Sequence, residues 1–374
     1  MVATTNKRTR FCNNNQVLAL DSANITVSSE LSAFPHSNTQ SNTRFKAWKP
    51  AGNFTVDATN LNIYINDGSD KTVALTAASY TYSTLATHIA TQLNASSSNW
   101  SCAYSTTTRK FTISNTGSVT LRETQTTTAA WDMLGYTNGT DHAGTSFEAD
   151  ESRNHTHESV IYDLGTAKAV DFFACIGLVS ENLTISDQAT ITLKGNNVSS
   201  FTSPAVSKTL THSDDGILNF FDDVDMTYRY WEFKIIDREN TVGPEGFTIS
   251  DIYLGDYDTL TSTNIGTGFS KSLVDPTIVK KSDTGAKFFR TRSKYWVFSS
   301  LGIQQLTQAE RLEMETFFNT NGVETPFYIS IDPTLAVSTT TNELTKFVQF
   351  DKSPVFNHVI RDLYNMSFSL SEVI

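Results

Sequence analysis

The densest set of metal-capable side chains in this chain is His155-Thr-His157-Glu158, two imidazoles and a carboxylate of the kinds zinc accepts as ligands. In an extended segment both imidazoles share a face. No third or fourth ligand stands at a recognisable spacing, however, and a solvated polar linker accounts for the run better. Asp214-Asp215 and Asp222-Asp223 with Asp225 offer the carboxylate oxygens that calcium prefers. Their spacing matches no calcium loop, and acidic turns are the plainer reading. Trp100, Trp131 and the Tyr80/Tyr82 pair offer flat faces to the C–H surface of a sugar ring, although aromatics in a small module more often form its core. No GxSxG, HExxH, P-loop or GxGxxG occurs, and Gly266-Thr-Gly268 is too short for a phosphate loop. A glycosidase pair of carboxylates, distant from each other along the chain, has no residues to nominate. The expectation is a protein that is not an enzyme, with no catalytic, cofactor-binding or metal residue, no cofactor, and no assigned ligand-binding residue.

Composition narrows the partners. The chain has 374 residues, long enough for two or three cores, and is 39% hydrophobic and 11% aromatic but only 18% charged. Polarity carried by Ser, Thr and Asn suits strands. The excess of 39 acids over 28 Lys and Arg gives a net charge of −11, the wrong sign for a protein that must neutralise phosphates, so no nucleic-acid partner is expected. The basic Lys7-Arg8-Thr9-Arg10 reads as an ordinary arm. Cys12, Cys102 and Cys175 are odd in number and unpaired in spacing, which fits folding in a reducing compartment. No run approaches a membrane span or a signal peptide, so the expectation is synthesis in a cytosol without membrane insertion.

The elements that must position these residues are mostly strands. In Tyr228–Asp237 the side chains of Arg229, Trp231, Phe233 and Ile235 alternate with a second face. Phe247–Gly255 alternates again across a polar loop, so the two strands read as flanking that loop. From Phe54 the pattern changes. Leu61, Ile63 and Ile65 enter a hairpin closing at Thr72–Leu75, and a helix capped by Ser83 or Thr84 presents Leu85, Ile89 and Leu93, backed by Ala86 and Ala90. A hairpin from Trp100 to Ser114 and a short helix ending at Gly135 complete a small α+β unit. Beyond residue 258, Lys294–Phe298 predicts a strand and Thr307 to Glu310 the capping box of a helix, with Ala309, Leu312 and Thr316 on one side and Gly322 as its stop. Phe327, Phe347–Phe350 and the alternating Tyr364, Met366, Phe368 and Leu370 predict further strands.

Two resemblances follow. Asn24-Ile-Thr-Val-Ser-Ser, Phe45-Lys-Ala-Trp48, Ile161-Tyr-Asp-Leu-Gly165, the Leu193 strand, Tyr230-Trp231-Glu-Phe-Lys-Ile with Asp237, and Ile252-Tyr-Leu-Gly255 occur in the order of discoidin-like, galactose-binding-like sandwiches. Trp296 and Phe298, Leu306 to Glu310, Phe317-Phe318, Gly322, Pro326-Phe, Asp332-Pro333, Phe347-Val and the strand running into Glu372-Val-Ile374 resemble C-terminal modules of tail-tip proteins of tailed bacteriophages, the minor tail and distal tail group. The resemblance implies a mainly β chain: an N-terminal arm (1–15), a discoidin-like β-sandwich (16–53 plus 155–258), an inserted small α+β domain (54–154), and a β-rich C-terminal assembly module with one helix (259–374). It further implies a structural virion protein of the distal tail or tail tip, made in the host cytoplasm. Its partners would be other copies of itself in a ring and other phage tail proteins. The alternative is a receptor- or carbohydrate-binding adsorption protein that engages host surface glycans.

Overall fold

In the computed structural model the described residues are 9–155, 157–178, 183–186, 189–210, 217–237, 247–260, 264–266, 268–331 and 345–373, with the side chains of 13 and 223–225 excepted. The chain is mainly β, with antiparallel sheets and three α-helices among these residues: α1 (Tyr82–Ser96), α2 (Trp131–Leu134) and α3 (Gln308–Asn321). The Asp214-Asp215 pair, the loop from 238 to 246 and Asp332-Pro333 lie outside the described residues.

Two long strands organise the sandwich. Ile217–Ile236 pairs antiparallel with Glu158–Ile176 on one side and Thr190–Asn196 on the other. Alternation places Trp231, Phe233 and Ile235 inside, each at most 1% exposed. Arg229 instead reaches Asp163 on the neighbouring strand, 2.6 Å away. The strand Asp251–Thr259 is not the hairpin partner of Ile217–Ile236. Glu158–Ile176 lies between them, its residues Phe172–Ile176 bonded to both. Alternation sets which side chains are buried but is silent on pairing order, so the polar loop was no guide to adjacency. Trp48 is buried against Phe247, edge to face at 5.7 Å, and its indole N–H donates to the Ser29 carbonyl.

Where an N-terminal arm was expected through residue 15, Arg10–Asn15 is a strand. It pairs with Asp251–Thr259 on one side and Phe327–Ser330 on the other, and so joins the sandwich sheet to the C-terminal sheet. Its polar sequence takes strand form because hydrogen bonding is available on both edges. Gly255 admits it: a Cβ there would collide with the Asn14 carbonyl. Beyond Phe327–Ser330 the order is Thr345–Phe350, Leu363–Glu372, Tyr295–Thr307 and the edge strand Ser270–Val274. A seam cluster of Cys12, Phe172, Phe221, Tyr253, Tyr328 and Phe347 packs where the two halves of this sheet meet.

The C-terminal core holds Phe298, Ile303, Met366, Phe368 and Leu370 under α3. Thr307 and Glu310 form the reciprocal capping box. The buried stripe of α3, however, is Glu310, Met314, Phe317 and Asn321. Ala309, Leu312 and Thr316, read from the sequence as sharing one side, sit on the outer side, with Leu312 48% exposed. Both sets have helical spacing, and only the neighbouring sheet selects between them.

Residues 54–149 build a separate core between their own sheet and α1, from Phe54, Ile63, Leu85, Ile89, Phe111 and Trp131 among others. The N-cap of α1 is Thr81, whose hydroxyl accepts from the Thr84 amide, rather than Ser83 or Thr84. Gly135 ends α2 at φ 89°, where a Cβ would strike the Glu151 carbonyl.

Candidate functional site

The segment holding the two histidines is buried, not a solvated linker. Asn154, His155 and Glu158 are 0% exposed and Arg153 is 3% exposed. The reason is position: this segment is where the chain returns from residues 54–154 to the sandwich. Glu158 opens the strand Glu158–Ile176, and its carboxylate gathers the crossing. One oxygen accepts from the hydroxyls of Ser28 and of Ser29, the latter at 2.7 Å, and the other accepts from the Asn53 amide at 3.0 Å. Burial raises the pKa of Glu158 while these donors and the Gly52 amide oppose it. The outgoing chain at 52–53 and the incoming chain at 158 are thus pinned to one side chain.

The histidines do not converge. His155 Nε2 accepts from the Asp237 amide at 3.2 Å. His157 sits nearer Lys234, Glu232 and Asp57, and burial, helped by Lys234, depresses it to about 4, so it is neutral at neutral pH. With Glu158 satisfied by serine and amide donors, the trio has no geometry for a metal. Among the described residues no group of three or more His, Cys, Asp or Glu side chains could hold one. Of the acidic runs, Asp222 is ion-paired to Lys208 at 2.6 Å. The side chains of Asp223 and Asp225 lie outside the described residues.

Trp100 and Trp131 are each 5% exposed in the 54–149 core, their indole N–H groups donating to Ser97 and to the Gln125 carbonyl. Tyr80 stacks on His88 at 4.9 Å and Tyr82 on Tyr104 at 4.8 Å. These four aromatics are spent on internal contacts.

What sequence reasoning missed is on the C-terminal half. A groove of about 510 Å³ runs between the end of the strand Asp251–Thr259 and the outer face of α3, floored by Phe11, Leu260 and Phe317 and edged by Leu312, Asp258 and Glu313. Partial burial and the carboxylates of Asp256 and Glu313 hold Asp258 above the usual carboxylate range. A second hollow of about 450 Å³ lies where the loop carrying Asn42, Thr43 and Phe45 meets Tyr295, Glu324 and Glu372. Phe45 is 75% exposed there, while Arg44 beside it is buried and donates to the carbonyls of Gly177 and Val373. Segments this far apart leave no local signature.

Strand Ile278–Lys281 and strand Lys287–Arg290 form a hairpin outside the large sheet, with all eight residues exposed. The sequence signal for it was an apolar pair on each side of Asp283-Thr-Gly285, which resembles an ordinary surface turn.

No helix among the described residues is long and apolar enough to cross a membrane. No protein-family model matches the chain, and no curated protein matches it. Among solved structures, the chain is similar to a Ruminococcus gnavus GH29 fucosidase in complex with fucose, at 13% identity and a TM-score of 0.21, over 29% of this chain. A mutant of the same enzyme with fucose gives 14% identity and the same TM-score. The chain spans 19% of the length of these enzymes, and likeness at this level carries no inference about fold or chemistry.

Proposed function

We propose that this protein is a structural component of a tailed-bacteriophage virion, placed in the distal tail or tail tip, where it assembles with copies of itself into a ring and with neighbouring tail proteins. The C-terminal residues 259–374 supply the assembly surface, and the sandwich, discoidin-like in this reading, carries the 54–154 unit outward. The observation that supports this is where the exposed apolar surface lies. Of thirteen large hydrophobic side chains exposed among the described residues, ten fall in the C-terminal 116 residues, among them Leu273, Phe288, Phe289, Leu312 and Val355. Single exposed hydrophobics are ordinary, but a concentration in one third of a chain indicates contact with another protein.

Light scattering over a wide range of concentration tests the reading. The full chain is expected to form one discrete oligomer, and antibodies to it are expected to label purified virions at the tail end. A dispersed monomer at the highest concentration, together with absence from virions, would refute it.

A further inference from the structure

Among the described residues the exposed hairpin pairs with no other strand. Its register pairs Ile278 with Arg290, Val279 with Phe289, Lys280 with Phe288 and Lys281 with Lys287. The turn is closed by the Ser282 amide donating to the Ala286 carbonyl and the Gly285 amide to the Ser282 carbonyl. Residues opposite each other share a face, so one face carries Ile278, Phe288, Lys280 and Arg290 and the other Val279, Phe289, Lys281 and Lys287. Each face therefore has an aromatic ring, an aliphatic side chain and two cations, and neither is an inner face. Phe288 is 62% and Phe289 64% exposed. A lone two-stranded hairpin is marginal in water, and one with a phenylalanine on each side is completed by a partner that encloses it.

Charge narrows the partner. Residues 276–292 hold five cations and one acid, net +4 in a chain of −11, which leaves −15 for the remainder. A surface that matches in shape and sign exists on this chain, in the groove of Phe11, Leu312 and Phe317 edged by Asp258 and Glu313. Its volume of about 510 Å³ accommodates phenylalanine side chains, and Asp258 and Glu313, which repel each other, are relieved by incoming ammonium groups. Among the described residues no hydrogen bond or ion pair links the hairpin to the groove within one chain.

We propose, building on the assembly reading above, that the Ile278–Arg290 hairpin of one copy docks into the Asp258/Glu313 groove of the next, a phenylalanine filling the apolar floor and lysines facing the two carboxylates. Hairpin and groove are different patches, so the contact is heterologous and propagates head to tail, closing as a ring when the rotation per copy permits.

The test is sedimentation velocity on the full chain, on a hairpin variant (Phe288→Ser with Phe289→Ser) and on a groove variant (Asp258→Lys with Glu313→Lys). All four positions are exposed, and circular dichroism checks that each variant is folded. Each variant is expected to need at least about tenfold more protein to assemble, the loss of a small hot spot. An equimolar mixture of the two is expected to stop at a one-to-one dimer, because one member lends only its groove and the other only its hairpin. A third variant, Lys281→Glu with Lys287→Glu on the Phe289 face, is expected to regain assembly only with the groove variant. If wild type forms a discrete oligomer and the variants match it, the docking is wrong and the assembly reading stands, the hairpin then serving a different protein. If wild type is a monomer throughout, the assembly reading falls, and the docking with it.

Discussion

At the scale of single residues, Glu158 shows how a polar side chain can be structural rather than chemical. Its carboxylate answers two hydroxyls and two backbone amides in a dry site, so removing it strands several donors at once. Glu158→Ala is expected to cost at least about 4 kcal/mol, since each of these donors left unanswered costs roughly 1–3 kcal/mol. Glu158→Gln keeps one acceptor oxygen and is expected to lose about half as much. Urea unfolding of both variants checks the order, and equal losses would show that the pinning of 52–53 to 158 is not what matters.

Elements show what was legible and why the rest was not. The α3 start could be read from Thr307 and Glu310 because a capping box is local, and both of its bonds are present. Which stripe of α3 faces inward could not, because Ala309-Leu312-Thr316 and Glu310-Met314-Phe317 are equally periodic and the choice belongs to the sheet beneath. The buried alternation of Trp231, Phe233 and Ile235 was legible for the same reason as the cap, being set by period two within one segment. The strand Arg10–Asn15 was not, since its partners are more than 200 residues away. The groove, drawn from Phe11, the 258–260 segment and α3, and the hairpin beside Asp283 escaped likewise: neither is marked by a motif. At this scale the cap offers a check. Thr307→Ala is expected to cost about 1 kcal/mol, read as a lowered melting temperature. With the full chain as host, it is also expected to weaken any assembly that depends on Leu312 and Glu313. No change in stability would mean that α3 is held by Met314 and Phe317 alone.

For the whole molecule the decisive region is the seam between the sandwich and the C-terminal sheet. There Asp251, fully buried, accepts a hydrogen bond from the Tyr328 hydroxyl at 3.0 Å, and burial raises its pKa to about 7 against the opposing effect of that bond. A carboxyl raised on folding contributes stability that is complete below its unfolded pKa, near 4, and is lost as pH rises through about 7. His157, depressed to about 4, works in the opposite direction over much of the same range, losing stability as pH falls below its unfolded value. The wild-type curve therefore mixes two slopes. The difference between wild type and Asp251→Asn isolates one of them, and the wild-type advantage is expected to shrink between pH 4 and 7 by, at most, on the order of 4 kcal/mol. A difference independent of pH would show that Asp251 keeps an ordinary pKa at the seam.

The crossing at Glu158 has one more implication. The chain leaves the sandwich at Asn53 and comes back at Glu158 with the departing amide hydrogen-bonded to the returning side chain, so the hundred residues in between form a closed loop whose two feet stand side by side. Such a loop is a cassette. A foreign domain whose own termini lie close together could replace residues 54–154 without lengthening or shortening any strand of the host, provided Gly52, Asn53, Ser28, Ser29 and Glu158 are kept as the socket. On the virion reading proposed above, exchanging cassettes at this socket is a shorter route to a new displayed surface than gradual remodelling.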